Sequence, residues 1–214
     1  KSMVESLYPY NDKTVNLWGD TITKMASLEK NKKKPCLSLL VKLNKCNEKY
    51  EIKNIELKPS WIVNKENLSY DSSLENNTVK EILNITRKLD YKKNYINDTH
   101  DLISFWMIFY NQYIGIIYKD ILPHRVHHLK ETQQFNNLSD DLKNVFRNKS
   151  MEAAYYSLTE SNHDSMNKVN VTHASSPIRR LFDTCIHYYI LYKENLFNEL
   201  IINNINNFKK NINK

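Results

Sequence analysis

The chain has only three cysteines in 214 residues, Cys36, Cys46 and Cys185, odd in number and far apart. That spacing makes neither a disulfide framework nor a zinc pattern, and it points to a reducing, intracellular compartment of unspecified kind. No signal peptide is recognisable, and no apolar run reaches transmembrane length. The densest apolar stretch, residues 102–117, is interrupted by Ser104, Asn111 and Gln112 and reads as a buried helix. Only two glycines occur, and there is no nucleophile elbow, so a hydrolase triad of Ser176, His187 and Asp183 finds no support. Abundant Asn, Lys, Ile and Tyr beside so little Gly is the bias of AT-rich coding sequence, and it empties the Asn-x-Ser/Thr sequons of meaning. No internal repeat divides the chain, and no linker does. It opens on Lys1 instead of Met, as an excerpt of a longer protein would.

What is present is charge and length. Lys and Arg number 31 against 24 Asp and Glu, a net of +7, which suits a polyanionic partner. The length fits one domain, or a piece of one, with a real core. Cys36–Leu43 and Tyr50–Leu57 are apolar or alternating runs that predict a β-hairpin, with Ser60–Val63 as a third strand. Residues 1–30 are mixed in local propensity and read as loops with a short helix, and Lys32-Lys33-Lys34-Pro35 reads as a solvated turn. From Thr78, the spacing of Val79, Ile82, Leu83, Thr86 and Leu89 predicts an amphipathic helix. A central helix spans residues 99–122, ended by Pro123, and shorter helices are expected over 138–146 and 151–159. Residues 162–171 read as a loop. The organisation expected is therefore β-rich over 1–78, helical over 79–202, and a polar tail over 203–214.

The chain is organised around Val169-Asn170-Val171-Thr172-His173-Ala174-Ser175-Ser176-Pro177-Ile178-Arg179-Arg180. Ser176 is a natural N-cap and Pro177 fits the first helical position. On a helix opened there, Arg179, Asp183 and His187 share one face at four-residue spacing. A helix N-terminus with two arginines in its first turn is a candidate phosphate site. His124, His127 and His128 also lie close together; a zinc site would need a matching pair elsewhere, with His163 and His173 the remaining candidates. Tyr155, Tyr156, Trp106 and Tyr110 fall at helical spacing and read as core.

The run Thr172 to Arg180, followed by Asp183 and His187, resembles the Thr-Ser-Pro-Ile-Arg-Arg-Tyr-x-Asp…His signature of the ribonuclease II/R (RNB) family of hydrolytic 3′→5′ exoribonucleases. Weaker matches keep the family's order. They are Ser6-Leu7-Tyr8-Pro9, Met25-Ala26-Ser27-Leu28 with the hairpin, Asn67-Leu68-Ser69-Tyr70, His124-Arg125-Val126-His127, and Met151 to Ser157 with His163. The resemblance implies an α+β fold: a partial RNB domain with a β-hairpin region, then a helical region and a long closing helix. It also implies a single-stranded RNA partner, with other parts of the same protein or a larger complex. Arg179 would be catalytic, stabilising charge on phosphoryl oxygens. Tyr8, Ser176, Arg180, Arg125 and His173 would contact RNA, Tyr8 by stacking on a terminal base. Asp183 and His187 would support the arginine, while His124, Arg125 and His127 would be structural or RNA-facing.

Departures from the family pattern are as informative. The Asp-x-Asp-Asp segment that holds Mg²⁺ in the family has no counterpart, since Asp12 and Asp20 are isolated and Asp140-Asp141 suits a helix start. Ile103-Ser104-Phe105-Trp106-Met107 replaces a segment with two glutamates, and Leu181 replaces an aromatic residue. Phosphodiester hydrolysis of this kind needs the metal. The expectation is a family exoribonuclease, releasing 5′-nucleotides, whose Mg²⁺ ligands lie outside this chain; the chain alone would be inert. The alternative is an inactive RNB-derived RNA-binding or structural subunit.

Overall fold

The computed structural model describes residues 3–89, 96–128 and 152–194. The helix expected at 138–146, the Asp140-Asp141 pair and the polar tail lie outside them. Residues group into two units: Lys1–Thr99 with Ser176–Lys214, and His100–Ser175.

The first unit starts with an irregular segment held by short pairings and helix α1 (Gly19–Ala26). It continues into a long antiparallel hairpin of β1 (Lys33–Cys46) and β2 (Lys49–Val63). The reversal runs through Asn47, at φ 57, a left-handed conformation that Asn adopts more readily than most residues. Opposed residues alternate between two faces, so the pairs Leu37/Pro59, Leu39/Leu57 and Val41/Ile55 share one side. Between Lys42 and Leu43 the register shifts, leaving Lys53 unpaired and opposing Leu43 to Ile52. That bulge keeps Ile52 on the apolar side with Ile55, although the two are three residues apart. The separate strand expected at Ser60–Val63 is the continuation of β2, because Pro59 sits at an outer position where it interrupts nothing.

Lys34, expected in a solvated turn, is buried within β1. Its Nζ donates to the carbonyls of Lys24 at 3.2 Å and Met25 at 2.5 Å. These carbonyls close α1, where a cation offsets the negative end of the helix.

Two helices follow, α2 (Tyr70–Ser73) and α3 (Asn77–Leu89). Asn76 caps α3, its side-chain oxygen accepting from Thr78 and Val79, an arrangement worth about 1 kcal/mol. At the other end, Arg87 donates to the carbonyls of Ile96 and Asn97. The last helix of this unit, α5, spans Leu181–Lys193 and buries Asp183, Ile186 and Ile190.

The second unit is built on the central helix, α4 (Thr99–Ile117), which ends five residues before the expected boundary, in turns over 118–122. Two short strand pairs complete the unit's regular structure among the described residues. β3 (His124–Val126) pairs antiparallel with β4 (Tyr155–Ser157), and β5 (Asn162–His163) with β6 (Lys168–Val169) across a 3-10 turn, Asp164–Met166. The helix expected at 151–159 is thus strand in part, and the loop expected at 162–171 contains a strand pair. Strand β4 forms because β3 offers it a partner, a long-range pairing that overrides local helical spacing. The core of the unit includes Leu102, Ile114, Leu122, Val126, Val171 and Ala174, each larger side chain contributing about 1.5–3 kcal/mol on full burial.

Asn111, the polar interruption in the apolar helix, is the clamp of this unit. Its side chain accepts from Ala174 N–H at 2.9 Å and donates to Ser175 Oγ at 3.3 Å, while its carbonyl accepts from Thr172 N–H at 3.4 Å.

Candidate functional site

The arginine-bearing turn begins one turn earlier than the helix it was expected to open. Ser176 carbonyl accepts from the N–H groups of Arg179 at 3.2 Å and Arg180 at 3.0 Å. Arg180 is extended, at φ −129 and ψ 125, and bridges to Glu5; α5 starts only at Leu181. Ser176 is therefore not a helix cap. Its N–H donates to Asp183 Oδ2 at 2.8 Å, so the carboxylate of the first helical turn reaches back and ties down the segment before it.

Asp183 also accepts from Arg180 Nη2 at 3.0 Å, with the carboxylate side chain 0% exposed and the Arg180 side chain 15% exposed. Thr184 Oγ1 donates to the carbonyls of Pro177 and Arg180, and Trp18 Nε1 donates to Pro177 carbonyl. The partner the structure gives Asp183, expected to orient Arg179, is Arg180, and Arg179 precedes the helix. His187 lies half-buried one turn along α5.

The two neighbouring arginines therefore differ in kind. Arg180 is folded into an ion pair, whereas Arg179 is exposed on a turn whose backbone is fixed. Arg179 carbonyl accepts from Ser6 N–H at 2.8 Å, and Leu181 N–H donates to Val4 carbonyl at 2.9 Å. From Ser6 the chain runs into a loop over residues 8–14, closed by the Leu7–Val15 pair and carrying Tyr8 at 64% exposure. Backbone pairing thus brings the Tyr8 loop and the Arg179 turn into one structural element. An exposed ring is chemically able to stack, and an exposed guanidinium to hold a phosphate.

In the second unit the structure joins two other residues expected at RNA, Arg125 and His173, through one that local spacing had placed in the core. The register of β3 and β4 sets Arg125 opposite Tyr156, with the guanidinium carbon 5.1 Å from the ring centroid, within cation–π range. Tyr156 hydroxyl lies 2.6 Å from His173 Nδ1. Tyr155 and Tyr156 are 40% and 37% exposed, so neither is core. The pairing that exposes them is between strands distant in sequence, and the local pattern carries no sign of it.

Three further histidines, His127, His128 and His163, form a hydrogen-bonded cluster beside these residues. His127 Nδ1 and His163 Nδ1 both lie against Ser165 Oγ, at 2.8 and 3.1 Å. His128 pairs with Glu160 at 3.2 Å and Asp164 at 3.6 Å, and Tyr155 hydroxyl donates to Glu160. The hydrogen bond to Glu160 raises the pKa of His128, and the one from Tyr155 leads in lowering that of Glu160. Burial, followed by the charge of His127, lowers that of His163.

No group of three or more His, Cys, Asp or Glu among the described residues is placed to hold a metal ion. The carboxylates near candidate residues are already engaged: Asp183 by Arg180, and Glu160 by Tyr155 and His128. The described residues do not fit a catalytic Mg²⁺ site. Among them, no helix is long and apolar enough to cross a membrane.

Comparison with known proteins agrees with this architecture. The sequence profile of the RNB domain matches residues 73–193, more than half of the chain, and the chain belongs to the RNB domain family. No individual curated protein matches it in sequence. Among solved structures, Mycoplasma genitalium RNase R in complex with ribose-methylated single-stranded RNA is similar, with TM-score 0.71 and 16% identity, over 95% of this chain and 44% of that one. Yeast Ssd1, described as a pseudonuclease, is similar with TM-score 0.70 and 17% identity, over 87% of this chain and 32% of that one. An active-site mutant of the Dss1 exoribonuclease from Candida glabrata is similar with TM-score 0.65 and 14% identity, over 89% of this chain and 34% of that one. At these identities the likeness is one of fold. The chain spans less than half the length of each of these proteins, and its fold is a partial RNB fold, α+β in class.

Proposed function

We propose that this chain is the single-stranded-RNA-binding part of a 3′→5′ hydrolytic exoribonuclease of the RNB family, which releases 5′-nucleotides, and that alone it binds RNA without cutting it. The observation that carries this reading is the division of labour at the turn: Arg180 is committed to buried Asp183, and Arg179 is held out on a fixed backbone. An arginine presented this way is suited to charge developing on phosphoryl oxygens, where it acts without reorganising. Tyr8 stacks on a terminal base, and Arg180, Ser176 and Asp183 hold the shape of the turn. Arg125 and His173 contact the RNA backbone further along. Mg²⁺, the metal the family relationship implies, is held by carboxylates outside this chain, and the described residues supply no step through it.

The test uses 5′-labelled single-stranded RNA. This chain should retain it in a salt-dependent manner and leave it intact. The full-length protein with Mg²⁺ should shorten it from the 3′ end to a small limit product, and Arg179→Ala in that protein should slow cleavage by about 10²- to 10³-fold. Intact RNA in every lane overturns the nuclease reading. One observation favours the inactive alternative: the fold likeness to yeast Ssd1, described as a pseudonuclease. On that reading RNA binding survives and cleavage is absent from the full-length protein too.

A further inference from the structure

Three segments of the second unit converge on one side chain. Arg125 reaches Tyr156 across the β3–β4 register, and its own N–H donates to Val171 carbonyl at 2.6 Å. Two residues beyond Val171 stands His173, whose ring lies edge-on to Tyr156, with centroids 5.7 Å apart and planes at 79°. The backbone around His173 has little freedom. Val171, Thr172 and Ala174 are 2%, 0% and 0% exposed, and Thr172 Oγ1 donates to Pro123 carbonyl at 2.8 Å. His173 itself is only half-buried in that rigid run. The arrangement therefore follows from backbone pairing and not from a choice of rotamers.

The separation of Tyr156 Oη and His173 Nδ1, 2.6 Å, is shorter than the usual N–H···O range and typical of a hydroxyl donor. A phenol donates to the Nδ1 of a neutral imidazole only when the ring proton is on Nε2. One ring thus meets a histidine Nδ1 through its hydroxyl and a guanidinium through its face.

We propose that Tyr156 is a positioning residue, holding His173 as an Nε2–H donor and Arg125 as a fixed cation, so that the pair binds a phosphodiester of single-stranded RNA. An Nε2–H imidazole whose Nδ1 is engaged by Tyr156 and a guanidinium on the same ring both donate only, which suits a phosphate's acceptor oxygens. The proposal deepens the RNA-binding reading given above and rests on it.

The experiment compares wild type, Tyr156→Phe, Tyr156→Leu and Arg179→Ala, all in this chain. It reads the ring ¹⁵N shifts of His173 and the affinity for a fluorescent oligouridylate across a salt series. Wild type should show the Nε2–H form. Tyr156→Phe keeps the ring under Arg125 but should shift His173 toward a tautomer mixture and weaken RNA binding about five- to tenfold. Tyr156→Leu, which also removes the cation–π partner of Arg125, should weaken it further and lower the salt slope by ~0.7 for each phosphate no longer neutralised. Arg179→Ala should weaken binding without touching the His173 shifts.

A wild-type His173 carrying its proton on Nδ1 overturns the proposal with no variant needed. Wild-type tautomer and unaltered affinity in Tyr156→Phe, alongside a weakened Arg179→Ala, overturn it while the RNA-binding function stands. No binding of RNA by wild type removes that function and this proposal's ligand together. Capture of a polyglutamate peptide in place of RNA, with the same Tyr156 dependence, likewise overturns the assignment to RNA.

Discussion

Arg180 and Asp183 form an ion pair at 3.0 Å in which the carboxylate is wholly buried and the guanidinium nearly so. The same carboxylate oxygen accepts from Ser176 N–H at 2.8 Å, so one side chain holds both ends of the turn that presents Arg179. Replacing Asp183 by Ala removes the carboxylate that a largely buried cation and a backbone donor share. The expected loss is about 3–5 kcal/mol of stability. Thermal unfolding checks it: a melting temperature close to wild type would show that the pair contributes little to the fold.

Arg179→Ala should behave in the opposite way. The side chain is exposed, and an exposed substitution away from caps and strained backbone changes stability by no more than about 0.5 kcal/mol. Its effect should appear in RNA binding instead, as a salt slope lower by ~0.7 when one phosphate of a single strand is no longer neutralised. Arg179→Lys should recover part of the affinity, because it keeps the charge but lacks the planar fork. Titration of labelled RNA at several salt concentrations checks both. If Arg179→Ala unfolds the chain instead, the division between the two arginines is wrong.

How much of this was legible in the sequence depended on whether the cause was local. Helix α3 was, since its apolar spacing and its Asn76 cap lie within one stretch, and the hairpin was, through its alternation. The start of α5 was not: Ser176 and Pro177 satisfy every local rule for a helix opening, but Arg180 is drawn into an extended bridge by Glu5, 175 positions away in the numbering of the chain. Strand β4 failed for the same reason, its partner β3 lying far upstream, and with it went the role of Tyr156. Lys34 looked solvated because a basic run usually is, and only tertiary folding brings the end of α1 to its Nζ. Asn111 left a visible sign, a polar residue within an apolar helix, although its partners at Ala174 and Ser175 were not readable. The family signature was found because resemblance, unlike periodicity, records long-range consequences.

The histidine cluster has a definite pH signature. The pKa of His128 is raised, chiefly by its hydrogen bond to Glu160. What that pair contributes is therefore fully present below the ordinary histidine value of about 6.5 and is lost as pH rises through the raised value. Glu160 is lowered, first by Tyr155 and then by His128. Its contribution is present above the ordinary glutamate value of about 4.3 and is lost as pH falls through the lowered one. The clasp is complete between those two ordinary values. His163 moves the other way, lowered by burial and then by His127, so its protonation as pH falls opposes folding. Ring NMR titration should place His128 above and His163 below the ordinary value, and Glu160→Gln should bring His128 back down. Identical midpoints for the two histidines would contradict the geometry.

Gly115 gives a prediction whose sign alone is decisive. In a helix interior, Gly to Ala normally stabilises by about 1 kcal/mol. Here a Cβ at Gly115 would stand 1.8 Å from the carbonyl oxygen of Asn170 and 2.8 Å from its carbon, with Thr172 N at 3.2 Å. The obstacle is backbone, not the tip of a flexible side chain. Asn170 sits at φ 56, its N–H donates to Ser161 carbonyl at 3.0 Å, and Val171 and Thr172 behind it are buried. The strand of chain facing the helix therefore cannot step back without giving up these bonds. Gly115→Ala should destabilise by about 3 kcal/mol, at the upper end for overpacking. It should also weaken RNA binding, because the displaced segment is the one that carries His173. Chemical denaturation followed by fluorescence measures the first effect and the labelled-RNA titration the second. A variant as stable as wild type would mean that α4 and residues 170–172 do not approach each other this closely.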